Sequence, residues 1–359
     1  MNSPTPKPRS TRGYLNNFRD PLGLAKRMLL SANPAAYWSL SREALRPVVR
    51  PLDMLMSRRE RRLLDTPREL NHPILLVVGP PRSGTTVLYQ LLASTMETTW
   101  FPNVSEMFPR APISATRMFT RNRAARGMSS FYGQTPGLSS PNDGFHVWNR
   151  WLGDDRYEPT LRPGAEQQML QFLATWTHTF NRPLLNKNNR NTLAMAALSR
   201  VLPNAKFVVL TREPSDIVRS LIRAREFVQG SRSRAWGLAA METDDESDPL
   251  RYVDDVCDQV GSIEERLRQE LCETDASRVF EVDFDKMCES PLAALRAIAA
   301  LADIPLRPNC EAATQQLKQP IRRPLTDGEE QRIAECLDQN GGVTNTSSSN
   351  RDPFCLPSA

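Results

Sequence analysis

Histidine is scarce in this chain, cysteine is confined to one end, and no apolar run is long. Only three histidines, His72, His146 and His178, occur in 359 residues, too few for a His-rich metal centre. The six cysteines, Cys257, Cys272, Cys288, Cys310, Cys336 and Cys355, all lie in the C-terminal third, and none forms a CxxC pair. That spacing speaks against a zinc site. Without a secretory signal, the cysteines read as reduced thiols. Met1 to Arg12 is polar and proline-rich, with no apolar core of the signal-peptide kind. No stretch is long or apolar enough to span a bilayer. The expectation is a cytoplasmic protein with no bound metal. A net charge of +5 and a pI near 9.0 are mild. They favour anionic ligands in general and do not indicate nucleic acid. A hydrophobic fraction of 40% is enough for a substantial core.

What is present begins at Leu75. Four apolar residues, Leu75 to Val78, run into Gly79-Pro-Pro-Arg-Ser-Gly-Thr-Thr86, and an amphipathic helix pattern follows through about Ala93. Strand, tight loop and helix N-terminus together cradle phosphate, because backbone N–H groups point into the loop and the helix dipole favours an anion. Gly84 permits close backbone approach and a positive φ. Thr85 and Thr86 offer hydroxyl donors without adding charge. Gly79 and Gly84 have Walker A spacing, but Thr85 stands where the phosphate-binding Lys belongs, and the cation has moved back to Arg82. A second apolar strand, Ala205 to Thr211, ends in Arg212, where a Walker B strand would end in Asp to hold Mg²⁺. Both departures argue against ATP or GTP hydrolysis.

The remaining patterns alternate helices with short apolar strands. Residues 1–70 form a basic, proline-punctuated arm with helices expected at Pro21–Leu30, Pro34–Arg46 and Pro51–Leu64. Its run Arg58-Arg-Glu-Arg-Arg62 reads as a solvated helix face, with an acidic partner or membrane surface as the alternative. Further strands are expected at Leu184–Asn188 and Arg278–Phe284. Helices are expected over Gly164–Phe180, from Asn191 as cap to Val201, and over Pro214–Arg225, Pro249–Leu271, Pro291–Ala302 and Thr326–Leu337. Residues 111–165 read as an insertion with a basic stretch (Arg117, Arg121, Arg123, Arg126) and aromatics that either pack into the core or wall a pocket. Gln229–Asp248 reads as a mobile loop, and residues 341–359 as a flexible tail.

Glu106 follows the loop helix in an apolar and aromatic segment, which places it near the strand ends where ligands of open α/β sheets gather. It is a candidate general base; the alternative is a surface or helix-capping Glu. His146 is the rival base. Ser220 lies two turns into the helix that Arg212 precedes, on a face that can look back toward the strand ends. Arg212 and Ser220 together could grip a second phosphate.

Three segments in this order resemble the PAPS-dependent sulfotransferases, where PAPS is 3′-phosphoadenosine 5′-phosphosulfate. Gly79–Thr86 is similar to the family's 5′-phosphosulfate loop. Leu202–Ser220 is similar to its 3′-phosphate motif, with Arg and Ser at the family's spacing. Arg278–Pro291 is like the strand and turn that follow. Asn186-Lys187-Asn188 also looks like a family element, and the Arg-containing loop most resembles the tyrosylprotein and bacterial branches. The likeness spans roughly residues 73–305.

The resemblance implies that amides of Ser83, Gly84, Thr85 and Thr86 bind the 5′-phosphate, with the threonine hydroxyls. It implies Arg82 over the bridging oxygen and sulfonate, Arg212 and Ser220 on the 3′-phosphate, and Lys187 beside the sulfonate. It implies Glu106, or else His146, as base, and a hydroxyl-bearing small molecule, lipid or carbohydrate as acceptor. Homodimers are common in the family. The fold expected is α/β: a three-layer P-loop fold with a mostly parallel central sheet flanked by helices, and a helical N-terminal arm. The division expected is an arm (1–70), a sulfotransferase-like body (71–340) and a tail (341–359). A P-loop kinase or NTPase and a catalytically inactive PAP-binding module remain as alternatives.

Overall fold

In a computed structural model of the protein, residues 18–120, 130–155, 159–243, 247–308, 310–315, 317 and 323–340 are described. Four short strands form the centre: β1 (Ile74–Val78), β2 (Leu184–Lys187), β3 (Ala205–Thr211) and β4 (Val279–Asp283). They pair in parallel in the order β2-β1-β3-β4. Parallel strands need crossover connections, and helices supply them. Helices α1 (Pro21–Leu30) and α2 (Pro34–Leu64) precede β1. Between β1 and β2 run α3 (Thr85–Thr95), α4 (Asn103–Met107), α5 (Pro112–Phe119), α6 (Phe145–Leu152) and α7 (Ala165–Phe180). Helix α8 (Met195–Val201) leads to β3, and α9 (Pro214–Gln229) and α10 (Arg251–Cys272) lead to β4. Then come α11 (Phe284–Glu289), α12 (Pro291–Ala302), α13 (Cys310–Thr314) and α14 (Asp327–Asn340).

The strands read as unbroken apolar runs because both sheet faces are covered. Ile74, Leu76 and Val78 join Phe207 and Val209 in one core, with residues of α6, α7 and α8. Leu75 and Val77 join Val208, Leu210, Phe280 and Val282 in the other, with residues of α3, α11 and α12. The period-two split of each strand therefore makes three layers. The chain leaves β1 for β2 on one side and returns past it to β3 on the other. The crevice beyond the C-terminal ends of β1 and β3 is thus a topological switch point.

The expected elements are found with several corrections. The arm's second and third helices are one helix, α2, with Pro47 and Pro51 inside it. Both prolines are solvent-exposed. Each removes a backbone donor, but Arg42, Asp53, Met56 and Glu60 are buried on either side and hold the two halves in line. Glu60 is not part of a solvated face: its carboxylate accepts the N–H groups of Ile113 (3.0 Å) and Ser114 (2.8 Å) at the start of α5. Asn188, not Asn191, is the capping amide after β2; it accepts from Arg190 N–H and opens a 3₁₀ turn, Asn189–Leu193. Residues 230–243 lack a helix or strand, yet they are packed: Ala235, Leu238, Ala239 and Ala240 are buried, and the Gln259 amide donates to the carbonyls of Trp236 (3.1 Å) and Leu238 (2.7 Å). Trp148 and Trp151 belong to the core rather than to a pocket wall. Arg121, Arg123 and Arg126, the start of the arm (1–17) and the tail (341–359) lie outside the described residues.

Candidate active site

The loop after β1 is fixed by close packing. Gly79 has φ +143°, and a Cβ there would lie 2.4 Å from the carbonyl oxygen of Leu210. The Thr192 hydroxyl accepts the Gly79 N–H (3.0 Å) and donates to the Gly79 carbonyl (3.1 Å), so one side chain pins the strand end twice. Gly84 has φ +103°, and a Cβ there would meet the Phe284 ring at 2.3 Å. Arg82 is itself left-handed, with φ +71°. Such a conformation costs of order 1–3 kcal/mol in a non-glycine residue and persists where surroundings enforce it. Ser83 turns inward: its N–H and hydroxyl both donate to the Pro80 carbonyl, at 3.2 and 2.8 Å. Its side chain therefore shapes the loop. Gly84 is the N-cap of α3 and no side chain caps the helix, so its leading amides face the loop.

A cationic pair stands over this loop. Arg82 Nε donates to Ser220 Oγ at 2.9 Å. Arg212 Nη1 donates to the Arg82 carbonyl at 3.4 Å, and Nη2 lies 3.4 Å from Asp216. The Arg82 guanidinium stacks 5.2 Å over Tyr132, and that of Arg212 5.0 Å over Phe284. Burial pushes the Arg82 pKa down and the neighbouring Arg212 adds to the shift, while Tyr132 opposes it. Among the described residues no carboxylate pairs with Arg82. The Nε of Arg212 is buried without a partner. Two adjacent guanidiniums with unspent donors are a receptor for an anion.

The second cluster surrounds Glu106, on α4. Its Oε2 accepts from Arg42 Nη1 (2.6 Å) and Asn142 Nδ2 (2.8 Å), and Arg46 lies 3.8 Å from Oε1. Burial alone would raise its pKa, but Arg42, His146, the Asn142 amide and Arg46 together hold it below the ordinary value. His146 is the opposite case. Burial, with Arg150, Arg42 and Arg46, pushes its pKa down to about 3 against the pull of Glu106. The ring is neutral at physiological pH, and both nitrogens are buried without a hydrogen-bond partner. Lys187, at the end of β2, is held by Asp143 at 2.8 Å.

The two clusters meet through the turn Phe131–Gln134. Tyr132 lies under Arg82, while the Gln134 amide oxygen accepts from Arg42 at 3.3 Å. Asn142 and Asp143 tie Glu106 and Lys187 to one turn, whose Gly144 N–H donates to Asn142 Oδ1 at 2.8 Å. Sequence reasoning missed Asn142, Asp143, Tyr132 and Arg42. The Asn-Asp-Gly triplet was a turn signal for the first two. Nothing local marks Arg42, which comes from the distant arm.

This architecture has known counterparts. The sulfotransferase STF1 from Mycobacterium tuberculosis H37Rv aligns with a TM-score of 0.56 and 14% identity, covering 91% of this chain and 92% of that one. The sulfotransferase STF9 from Mycobacterium avium aligns with a TM-score of 0.50 and 19% identity, covering 90% and 86%. At such identities the likeness concerns the fold. No curated protein matches the sequence. The model of the sulfotransferase family matches residues 73–308, the stretch that holds the phosphate-type loop, the Arg212–Ser220 segment and all four strands. The chain belongs to the sulfotransferase family.

Proposed function

We propose that the protein transfers a sulfonate group from PAPS to a hydroxyl of a small-molecule, lipid or carbohydrate acceptor by in-line displacement, releasing PAP. The observation that carries this reading is the half-buried pair Arg82 and Arg212, joined to Ser220 and set over the uncapped N-terminus of α3. The residues fit such a ligand: the Arg212 Nε is buried without a partner, and no side chain caps the leading amides of α3. When bound, PAPS supplies a sulfonate on a phosphate leaving group. In this reading the amides of Gly84, Thr85 and Thr86, with the threonine hydroxyls, hold the 5′-phosphate, and that of Ser83 joins them only by sharing or releasing the Pro80 carbonyl. Arg212 and Ser220 hold the 3′-phosphate, the group that separates PAPS from ATP. Arg82 offsets charge that develops on the bridging oxygen and the sulfonate. Lys187 adds a positive charge beside it, which requires that it share or release Asp143.

Glu106 takes the acceptor proton. It is ionised at neutral pH, and its Oε1 lies 3.8 Å from Arg46 and takes part in none of the hydrogen bonds that hold Oε2. The unpartnered nitrogens of His146 favour a second reading in which the imidazole is the base. Turnover of Glu106→Gln and His146→Ala separates the two. Normal turnover in Glu106→Gln with loss in His146→Ala would reverse the assignment. PAP binding is measured in both, because Glu106→Gln also leaves Arg42 without its carboxylate.

The cofactor is tested by thermal shift with PAP, with ATP and Mg²⁺, and with buffer. Ligand at 100 times its Kd stabilises by about 2.7 kcal/mol. Stabilisation by PAP alone, weakened about tenfold to a hundredfold in affinity by Arg212→Ala, supports the reading. Stabilisation by ATP alone sinks it in favour of an NTP site. PAP binding without turnover of labelled PAPS on any acceptor leaves an inactive binding module.

A further inference from the structure

Helix α2 carries a solvent-facing side built of leucine, valine and arginine. Leu45, Val48, Leu52 and Leu55 recur at three- and four-residue steps and so lie along one side of the helix. They are 47%, 74%, 41% and 65% exposed. The same stepping continues into Arg59 and Arg62, both exposed. The acids of this stretch are turned away from it. Asp53 is buried and accepts the N–H of Arg110 (3.0 Å), and Glu60 is buried against α5. Of the acids on α2 only Glu43 is exposed, and it pairs with Arg46 at 2.9 Å at the near end of the stripe; beyond it, to residue 64, the exposed surface carries Arg50, Arg58, Arg59, Arg61 and Arg62 and no exposed carboxylate. Helix α1 packs against α2, and its Leu22, Leu29, Leu30 and Lys26 are exposed as well.

We propose that this face of α2 docks on an anionic lipid surface. Val48, Leu52 and Leu55 enter the interfacial zone, and the arginines meet headgroup phosphates. The apolar stripe from Leu45 to Leu55 is about 15 Å long, so it lies on the membrane. No helix among the described residues is long and apolar enough to cross one. A second copy of this chain is a poor occupant, because symmetric pairing would bring five arginines, unpaired among the described residues, and only one exposed acid, Glu43, from each copy. An anionic bilayer is complementary in both charge and apolarity and requires no groove. Arg42 of the same helix grips Glu106, so docking would bring the candidate site beside the bilayer. The docking itself does not rest on the sulfotransfer reading.

The test is co-sedimentation of the full chain with phosphatidylcholine vesicles and with mixed phosphatidylcholine–phosphatidylglycerol vesicles. The expected result is binding to the mixed vesicles only, reversed by salt. Val48→Ser with Leu52→Ser and Leu55→Ser should abolish it. Replacing Arg58, Arg59, Arg61 and Arg62 by Gln should weaken partitioning about a thousandfold. These side chains are exposed, so melting temperature is expected to hold, and variants that keep it are the ones compared. Absence of vesicle binding overturns the proposal, as does equal binding to neutral vesicles. A dimer in sedimentation that the serine variant dissolves, with no vesicle binding, would make the face a contact between copies instead.

Discussion

At the scale of single residues the sharpest constraint is Gly84. Its positive φ and the Phe284 ring leave no room for a methyl group. Gly84→Ala is expected to cost about 2–6 kcal/mol, the sum of backbone strain and overpacking, and to abolish PAP binding. Urea unfolding reads the first effect and calorimetric titration the second; an unchanged midpoint would mean the loop is not held as described. His146 gives a prediction in pH. Its folded pKa is about 3 against an ordinary 6.5, so the unfolded chain binds the proton first as pH falls. Stability from this group is complete above pH 6.5 and is lost progressively below it. Between pH 7 and 5 the loss should be about 1–2 kcal/mol. His146→Gln should flatten that decline, whereas Glu106, whose pKa is depressed, contributes its loss only at lower pH.

At the scale of elements, Glu60 decides how α2 and α5 meet. Its two oxygens accept the first amides of α5, and burial raises its pKa ahead of those bonds and the pull of Arg150. Glu60→Ala should cost about 1–3 kcal/mol through two orphaned amides. Glu60→Gln should cost much less, because its amide oxygen still accepts and the buried charge is gone. Equal losses in chemical denaturation would show that charge, not capping, is what matters there. This element also marks the limit of sequence reading. β1 and β3, with the loop and Arg212 at their ends, were legible because a strand buried on both faces is an unbroken apolar run. Arg82, Arg212 and Ser220 were singled out because they lie beside such strands, but Ser220 was paired with Arg212, and its contact with Arg82 Nε was not foreseen. α2 was not: two prolines read as breaks, and the packing of both its halves on α1, α4, α5 and α7 is not written in its local pattern. Glu60 was misread for the same reason, since a charge run carries no sign of which member faces inward. Asn142, Asp143 and Arg42 act through contacts far apart in sequence, which local pattern does not encode.

At the scale of the whole molecule, the division expected from the sequence, into an arm (1–70), a body (71–340) and a tail (341–359), is a claim that truncation tests. The arm does more than precede the body. Met56 packs in one cluster with Val104, Met107, Phe108, Ala111 and Ala115. Asp53 and Glu60 cap backbone amides of the α4–α5 segment, and Arg42 neutralises Glu106. A chain beginning at residue 71 would expose that cluster and strand a buried carboxylate, and unpairing a buried charge alone typically costs about 3–5 kcal/mol. Its loss is therefore expected to be severe in stability and near complete in turnover, with the β1–β3 core retaining some folded signal. A chain ending at residue 340 tests the other boundary, and it should melt and bind PAP as the full chain does. Differential scanning calorimetry of both truncations separates the cases. If the chain from 71 melts like the full protein, the arm is a separable appendage and Arg42 has no hold on Glu106. If the chain ending at 340 is the weaker of the two, the tail belongs to the body.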